Sequence, residues 1–132
     1  MIYSPMILNL VINIIIKKTI NDFKMNNFKR LNEVQSVKML KGIFRRTLSF
    51  NNELMLCHFI LKKGAELPAH KHKEHQVGYV IKGKMKFITK KGDFIVQEGD
   101  SYIFQSNEKH GAIIIEDSEV IDVFNPSRVD YL

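Results

Sequence analysis

Two histidines separated by a single residue, His70 and His72, constrain this chain more than any other feature. They lie in the stretch from Gly64 to Gly83, with His75 and Gln76 close behind. Along a strand, residues i and i+2 face the same side. A strand through this stretch would project both imidazoles to one face, and Gln76 has the same parity. Neutral imidazole nitrogens are good ligands for first-row divalent metals, and an amide oxygen is a weaker fourth donor. The stretch reads as half of a metal cage built on sheet, and the other half must come from elsewhere in the chain.

The rest of the sequence is written in short strands. Gly42 to Leu48 and Leu54 to Leu61 read as strands joined by the turn Ser49–Asn52. Val77 to Ile81 turns at Lys82-Gly83, and Lys84 to Thr89 turns at Lys90–Asp93. Phe94 to Val96, Tyr102 to Phe104, Ala112 to Ile115 and Glu119 to Phe124 follow, with a turn at Glu116–Ser118. Short strands with turn signals at this spacing indicate an antiparallel sandwich or barrel. At 132 residues and 45% hydrophobic content, the chain reads as one domain with a real core.

The first 24 residues are expected to form an N-terminal extension, with the main domain spanning 25–132. Ile7 to Ile16 is strongly apolar but interrupted by Asn9 and Asn13. It is too short and polar to span a bilayer, and no basic region or cleavage site marks it as a signal peptide. Its Ile, Val and Asn content favours strand over helix. It reads either as an extra strand or as upstream translation before a natural start at Met25. From Met25 to Lys41, Phe28, Leu31, Val34, Val37 and Leu40 recur every three residues, as a short helical turn or an irregular lead-in.

The net charge of +6 is carried mainly by scattered lysines. No compact basic run is interleaved with aromatics, so nucleic acid is not the expected partner. A small, anionic substrate fits the charge better. The single Cys57 excludes an internal disulfide and suits a reducing, cytoplasmic setting. It sits in an apolar run and reads as a buried small hydrophobe. His58 reads as a core or interface histidine, and His75 as a surface histidine or one behind the ligands.

His110 opens the strand after the turn Ser106–Lys109. In a double-sheet barrel, strands distant in sequence face each other, which would bring His110 to His70 and His72. Such a set leaves positions open for water or substrate. Near the end of the chain, Asp122 and Phe124 share one strand face, and Arg128 follows a proline turn. The residues alone leave two readings. Asp122 is a general acid/base beside the metal and Arg128 an anion clamp, or Asp122 is an edge group and Arg128 pairs with Asp130.

Gly64, His70, His72, Gln76 and Gly83 resemble the first motif of the cupin superfamily, with Gln where that motif carries Glu. Gly99 and His110 match the second motif, whose Pro, Gly and Asn are replaced. The resemblance implies an all-β fold, a double-stranded β-helix or jelly-roll cupin barrel, and a homodimer. It implies one divalent transition metal (zinc, nickel, manganese or iron) held by His70, His72, Gln76 and His110. The ending Asp122-x-Phe124-x-x-x-Arg128 is similar to that of small cupins of pectin and alginate degradation, which convert 4,5-unsaturated monouronates to the linear keto form. On that likeness Asp122 and Arg128 are catalytic, and Phe124 and Arg128 bind substrate. Two other functions fit the same motifs: a metal-dependent oxygenase, and a non-catalytic barrel that binds a small ligand. A neutral Gln ligand removes one negative charge, which weakens metal binding and leaves the ion a stronger Lewis acid.

Overall fold

The computed structural model describes residues 4–23 and 27–132, and for 17–23 the backbone alone. Eight strands follow one another: β1 (Val37–Leu40), β2 (Ile43–Phe50), β3 (Met55–Leu61), β4 (Glu66–His70), β5 (His75–Thr89), β6 (Phe94–Gln97), β7 (Ser101–Phe104) and β8 (His110–Asn125). All pairings are antiparallel. The main path runs β1-β2-β3-β8-β5-β6, with β4 added to β8 and β7 to β5. The path does not close end to end.

β5 and β8 pair along almost their full lengths and carry the fold. The first half of β5 also pairs with β7, and its second half with β6. The second half of β8 pairs with β3, and its first residues with β4. The β5–β8 ribbon thus belongs to two sheet regions, which is how a jelly roll encloses its interior.

The ribbon changes region at a bend. Its register shifts between Val80 and Met85, and Gly83 has φ 99°, a conformation that glycine adopts without steric cost. A Cβ there would collide with Ser118 Oγ. The Ser118 hydroxyl accepts from the Lys84 N–H at 3.0 Å and donates to the Glu116 carbonyl at 2.7 Å. The expected turns at Lys82-Gly83 and Glu116–Ser118 are therefore bends inside two long strands. Local turn chemistry marks both sites correctly, but the cross-strand pairing continues through them.

Burial follows the pleat. In β3, Met55, Cys57, Phe59 and Leu61 face inward. In β8, Val120, Asp122 and Phe124 do so, alternating with half-exposed Ile121 and Val123. Burial pushes the Cys57 thiol up to about 11, which makes it an unreactive core residue. His58 faces away from this interior but is buried, with Nε2 at 2.7 Å from Glu119 Oε1.

The strand expected over Ile7–Ile16 is instead the helix α1 (Pro5–Phe23). Strand preference is largely a packing preference and needs a neighbouring strand. Among the described residues this segment pairs with none. Ser4 accepts the Leu8 N–H at 3.1 Å through its carbonyl, and Pro5 takes the first helical position, where its missing N–H costs nothing. The apolar side chains from Met6 to Ile16 are exposed. No described helix is long and apolar enough to cross a membrane. The expected boundary at residues 24 and 25, with Met25 as a start, lies outside the described residues. In the lead-in, Leu31–Glu33 forms one 3-10 turn and Val37–Leu40 becomes strand.

Candidate metal centre

His70 and His110 are direct cross-strand partners between β4 and β8. Opposite residues in an antiparallel pair hold their Cβ atoms about 5 Å apart. His72 lies beyond the end of β4, in the connection to β5. The pleat expected to align His70 with His72 is thus interrupted, and a loop contact takes its place. The Asn107 N–H donates to the His72 carbonyl at 2.7 Å, tying the loop before β5 to the loop before β8. Asn107 sits at φ 61° to do so. One ligand nitrogen from each of the three histidines then falls within 4.8 Å of the others.

Each ring is oriented by its own backbone. Nδ1 lies 3.1 Å from the Pro68 carbonyl in His70, 2.9 Å from the Glu74 carbonyl in His72 and 2.7 Å from the Glu108 carbonyl in His110. A carbonyl only accepts, so Nδ1 carries the proton in each and Nε2 is left as a lone pair. This is how outer hydrogen bonds set the tautomer of ligating histidines. His110 also stacks on Phe104, with centroids 3.9 Å apart and planes 1° from parallel.

Gln76 lies beside this set. Its Oε1 lies 3.1 Å from His72 Nε2. Both ring nitrogens of His72 therefore face acceptor oxygens, while a neutral imidazole has one N–H. Burial, aided by the Arg128 charge, holds His72 below its ordinary pKa, so a second proton is disfavoured. Burial likewise pulls His110 down to about 4. Two lone pairs facing each other, beside two further neutral imidazole nitrogens, form a donor set that fits one divalent transition ion.

Behind Gln76 stands a hydrogen-bonded relay. Its Nε2 donates to Asp122 Oδ2 at 2.9 Å, and the Tyr102 hydroxyl donates to Asp122 Oδ1 at 2.5 Å. Burial pushes the Asp122 carboxyl up to about 7, against the pull of these two bonds. Burial and the facing carboxylate push the Tyr102 phenol well up. Phe124, buried, sets its ring edge-on to His72 at 5.8 Å. Arg128 reaches the same cavity, where it donates to Asp130 Oδ2 at 2.8 Å and to the Tyr131 hydroxyl at 2.9 Å. His75 is exposed and accepts the Ser106 N–H at 3.2 Å. The cavity beside these groups measures about 70 Å³, room for ~two waters.

Tyr102 and Gly78 were not singled out from the sequence. A Cβ on Gly78 would collide with both the Tyr102 ring and Asp122 Oδ1. A glycine inside a strand marks close approach of another group, and that signal stood in Val77-Gly78-Tyr79.

An antiparallel jelly roll that gathers imidazoles from sequence-distant segments defines a class, the double-stranded β-helix proteins with a histidine cluster that could hold a metal ion. A family profile described as "Cupin domain" matches residues 57–124, and the chain belongs to the cupin family. It is 36% identical over 93 residues to the pectin degradation protein KdgF of Dickeya dadantii, covering 69% of this chain and 84% of that one. The solved KdgF of a Halomonas species superposes with TM-score 0.75 at 30% identity, covering 80% of this chain and 97% of that one. A RmlC-like cupin from Shewanella frigidimarina matches with the same score and identity, over 80% and 95% of the two chains.

Proposed function

We propose that the chain is a metal-dependent isomerase that opens the ring of a 4,5-unsaturated monouronate to the linear keto acid. The observation that carries this reading is the contact between Gln76, a ligand candidate, and Asp122, a buried carboxyl with its pKa near 7. The similarity to KdgF, a pectin degradation protein of Dickeya dadantii, supports it.

His70, His72, His110 and Gln76 would hold the ion, which supplies Lewis-acid polarisation of substrate oxygens when bound. The reaction is redox-neutral. The hemiacetal hydroxyl at C1 loses its proton, the C1–O5 bond breaks to leave an aldehyde, and O5 takes the electron pair and that proton to become an enol hydroxyl. A proton added at C4 with loss of the enol proton gives the C5 ketone. One group that takes and returns a proton near neutral pH serves both steps, and Asp122 is tuned for it. Tyr102 and Gln76 hold its two oxygens in place. Arg128 pairs the substrate carboxylate in place of Asp130, and Phe124 walls the pocket.

The buried lone thiol fits the cytoplasm. The exposed apolar face made by Val77, Tyr79, Ile81 and Ile103 fits a homodimer. The test is decay of the enol-ether ultraviolet band of unsaturated galacturonate. Metal-loaded protein accelerates the decay and protein treated with chelator does not. A loaded protein that leaves the buffer rate unchanged sinks the reading. Oxygen uptake by an iron- or manganese-loaded sample would favour the oxygenase alternative instead.

A further inference from the structure

His70 lines two spaces at once. One is the inner cavity, and the other is an open groove of about 560 Å³ on the outside of the centre. The groove is walled by Lys71, Lys90, Lys91 and Lys109, together with Asn107 and Glu108. The four lysines face the one carboxylate of Glu108, which lies 3.4 Å from Lys91 Nζ. Glu108 is further committed to the turn, since its Oε2 accepts the Gln105 N–H at 2.8 Å. Among the described residues, Lys71, Lys90 and Lys109 have no carboxylate within ion-pair distance. The segments bearing them are ordered by the contacts that build the centre: Lys71 stands between His70 and His72, and Lys109 precedes His110. His70 faces both spaces, so a group that a ligand at the histidines carries outward would meet the lysines.

We propose that this groove is an anion subsite of the metal centre. It takes a second anionic group of the ligand, a carboxylate or a phosphate ester carried on O2 or O3, since the ring opening proposed above needs a free C1 hydroxyl. The proposal rests on the sugar-acid reading above and deepens it. Three unpaired ammonium groups in a concave wall attract such a group, and charge-assisted contacts there are stronger than neutral ones. The electrostatic share falls with added salt.

The test uses the full chain loaded with zinc and three unreactive probes: galacturonate, 3-O-carboxymethyl galacturonate and galacturonate 3-phosphate. Calorimetric binding is compared for wild type, the triple variant Lys71→Gln/Lys90→Gln/Lys109→Gln and the single reversal Lys90→Glu. Lys90 lies well away from the ligands in sequence, so the single variant guards against a disturbed centre. Zinc stoichiometry and circular dichroism are read on each. The subsite predicts that one of the two substituted probes binds about tenfold more tightly than galacturonate. The gain shrinks in 0.5 M salt (roughly a 4 Å screening length) and in both variants. Which probe gains identifies carboxylate or phosphate. Equal binding of all three probes overturns the proposal, as does a gain that survives both variants. A gain without turnover of unsaturated galacturonate would remove the isomerase reading and leave the subsite standing. Turnover without a gain would remove the subsite alone.

Discussion

Tyr102 and Asp122 meet through a 2.5 Å hydrogen bond directly over Gly78. The register explains the meeting, because Gly78 pairs with Tyr102 on one side and with Asp122 on the other. Three adjacent strands thus place a phenol, a hydrogen atom and a carboxylate in one row. The missing side chain in the middle lets the outer two touch.

Gly78→Ala tests this directly. The added methyl would displace both neighbours, and overpacking of this kind costs about 1–3 kcal/mol. The urea midpoint should fall with an unchanged slope. Activity should drop further than Tyr102→Phe makes it drop, since both oxygens of Asp122 lose their places.

The metal-free protein should show opposed pH dependences that one substitution separates. His110 is lowered to about 4, so between the ordinary histidine value and about 4 the unfolded chain binds more protons. Stability from this group is therefore lost as pH falls through that window, and His72 acts in the same direction. Asp122 is raised to about 7, so the folded chain keeps its proton longer than the unfolded one. Its contribution is lost as pH rises from the ordinary carboxylate range to about 7. Between pH 4 and 6.5 the two slopes oppose each other. Asp122→Asn removes the falling one, so stability of the variant should rise with pH relative to wild type by about 1 kcal/mol per pH unit. Denaturant titrations in chelator at three pH values measure it, and parallel curves would refute the assignment.

The residues that the sequence groups together also lie together in the structure, but part of their geometry was misread. His70, His72, Gln76 and His110 were legible as a set, yet His72 stands in a loop. A contact between two loops, from Asn107 to the His72 carbonyl, has no signature in the spacing. Asp122 and Phe124 were legible from strict alternation on one strand. Tyr102 was hidden because its partner lies 20 residues away in sequence, and only the register brings the two together. Ile7–Ile16 was misread because β-branched composition describes a half-buried surface, and this segment has no neighbouring strand. Gly83 and Ser118 were taken for chain reversals, since a bend and a turn use the same residues.

Gln76 now has a reason to be an amide. It offers an oxygen toward His72 and an N–H toward Asp122, and a carboxylate has no N–H to give. Gln76→Glu would set two carboxylates against each other in a buried site, where one must hold a proton. The metal-free variant should lose about 1–3 kcal/mol above the pH at which that shared proton leaves. With metal added, the extra charge should strengthen zinc binding while turnover falls, because Asp122 Oδ2 loses its donor and Tyr102 alone holds the carboxyl through Oδ1. Competition with a chromophoric chelator reads the first effect, and the ultraviolet assay the second. Tighter binding with full turnover would show that the Gln76–Asp122 bond is dispensable.

Arg128 is held by Asp130, and that pair sets a testable limit on substrate affinity. The Arg128 side chain is 11% exposed and that of Asp130 is 61% exposed. An ion pair open to water on one side contributes about 0–1 kcal/mol, so a substrate carboxylate can displace Asp130 at little cost. Asp130→Asn should lower KM up to about fivefold and leave kcat unchanged, because it removes a competitor and touches no reacting atom. Arg128→Lys should raise KM, since an ammonium loses the two-point geometry of the guanidinium and its stacking on Tyr131 at 4.0 Å. Steady-state kinetics on both variants and their double mutant separate the roles. With Lys at 128, Asp130→Asn should no longer yield its full gain. If Asp130→Asn lowers KM equally in either background, Arg128 is not the group that receives the carboxylate.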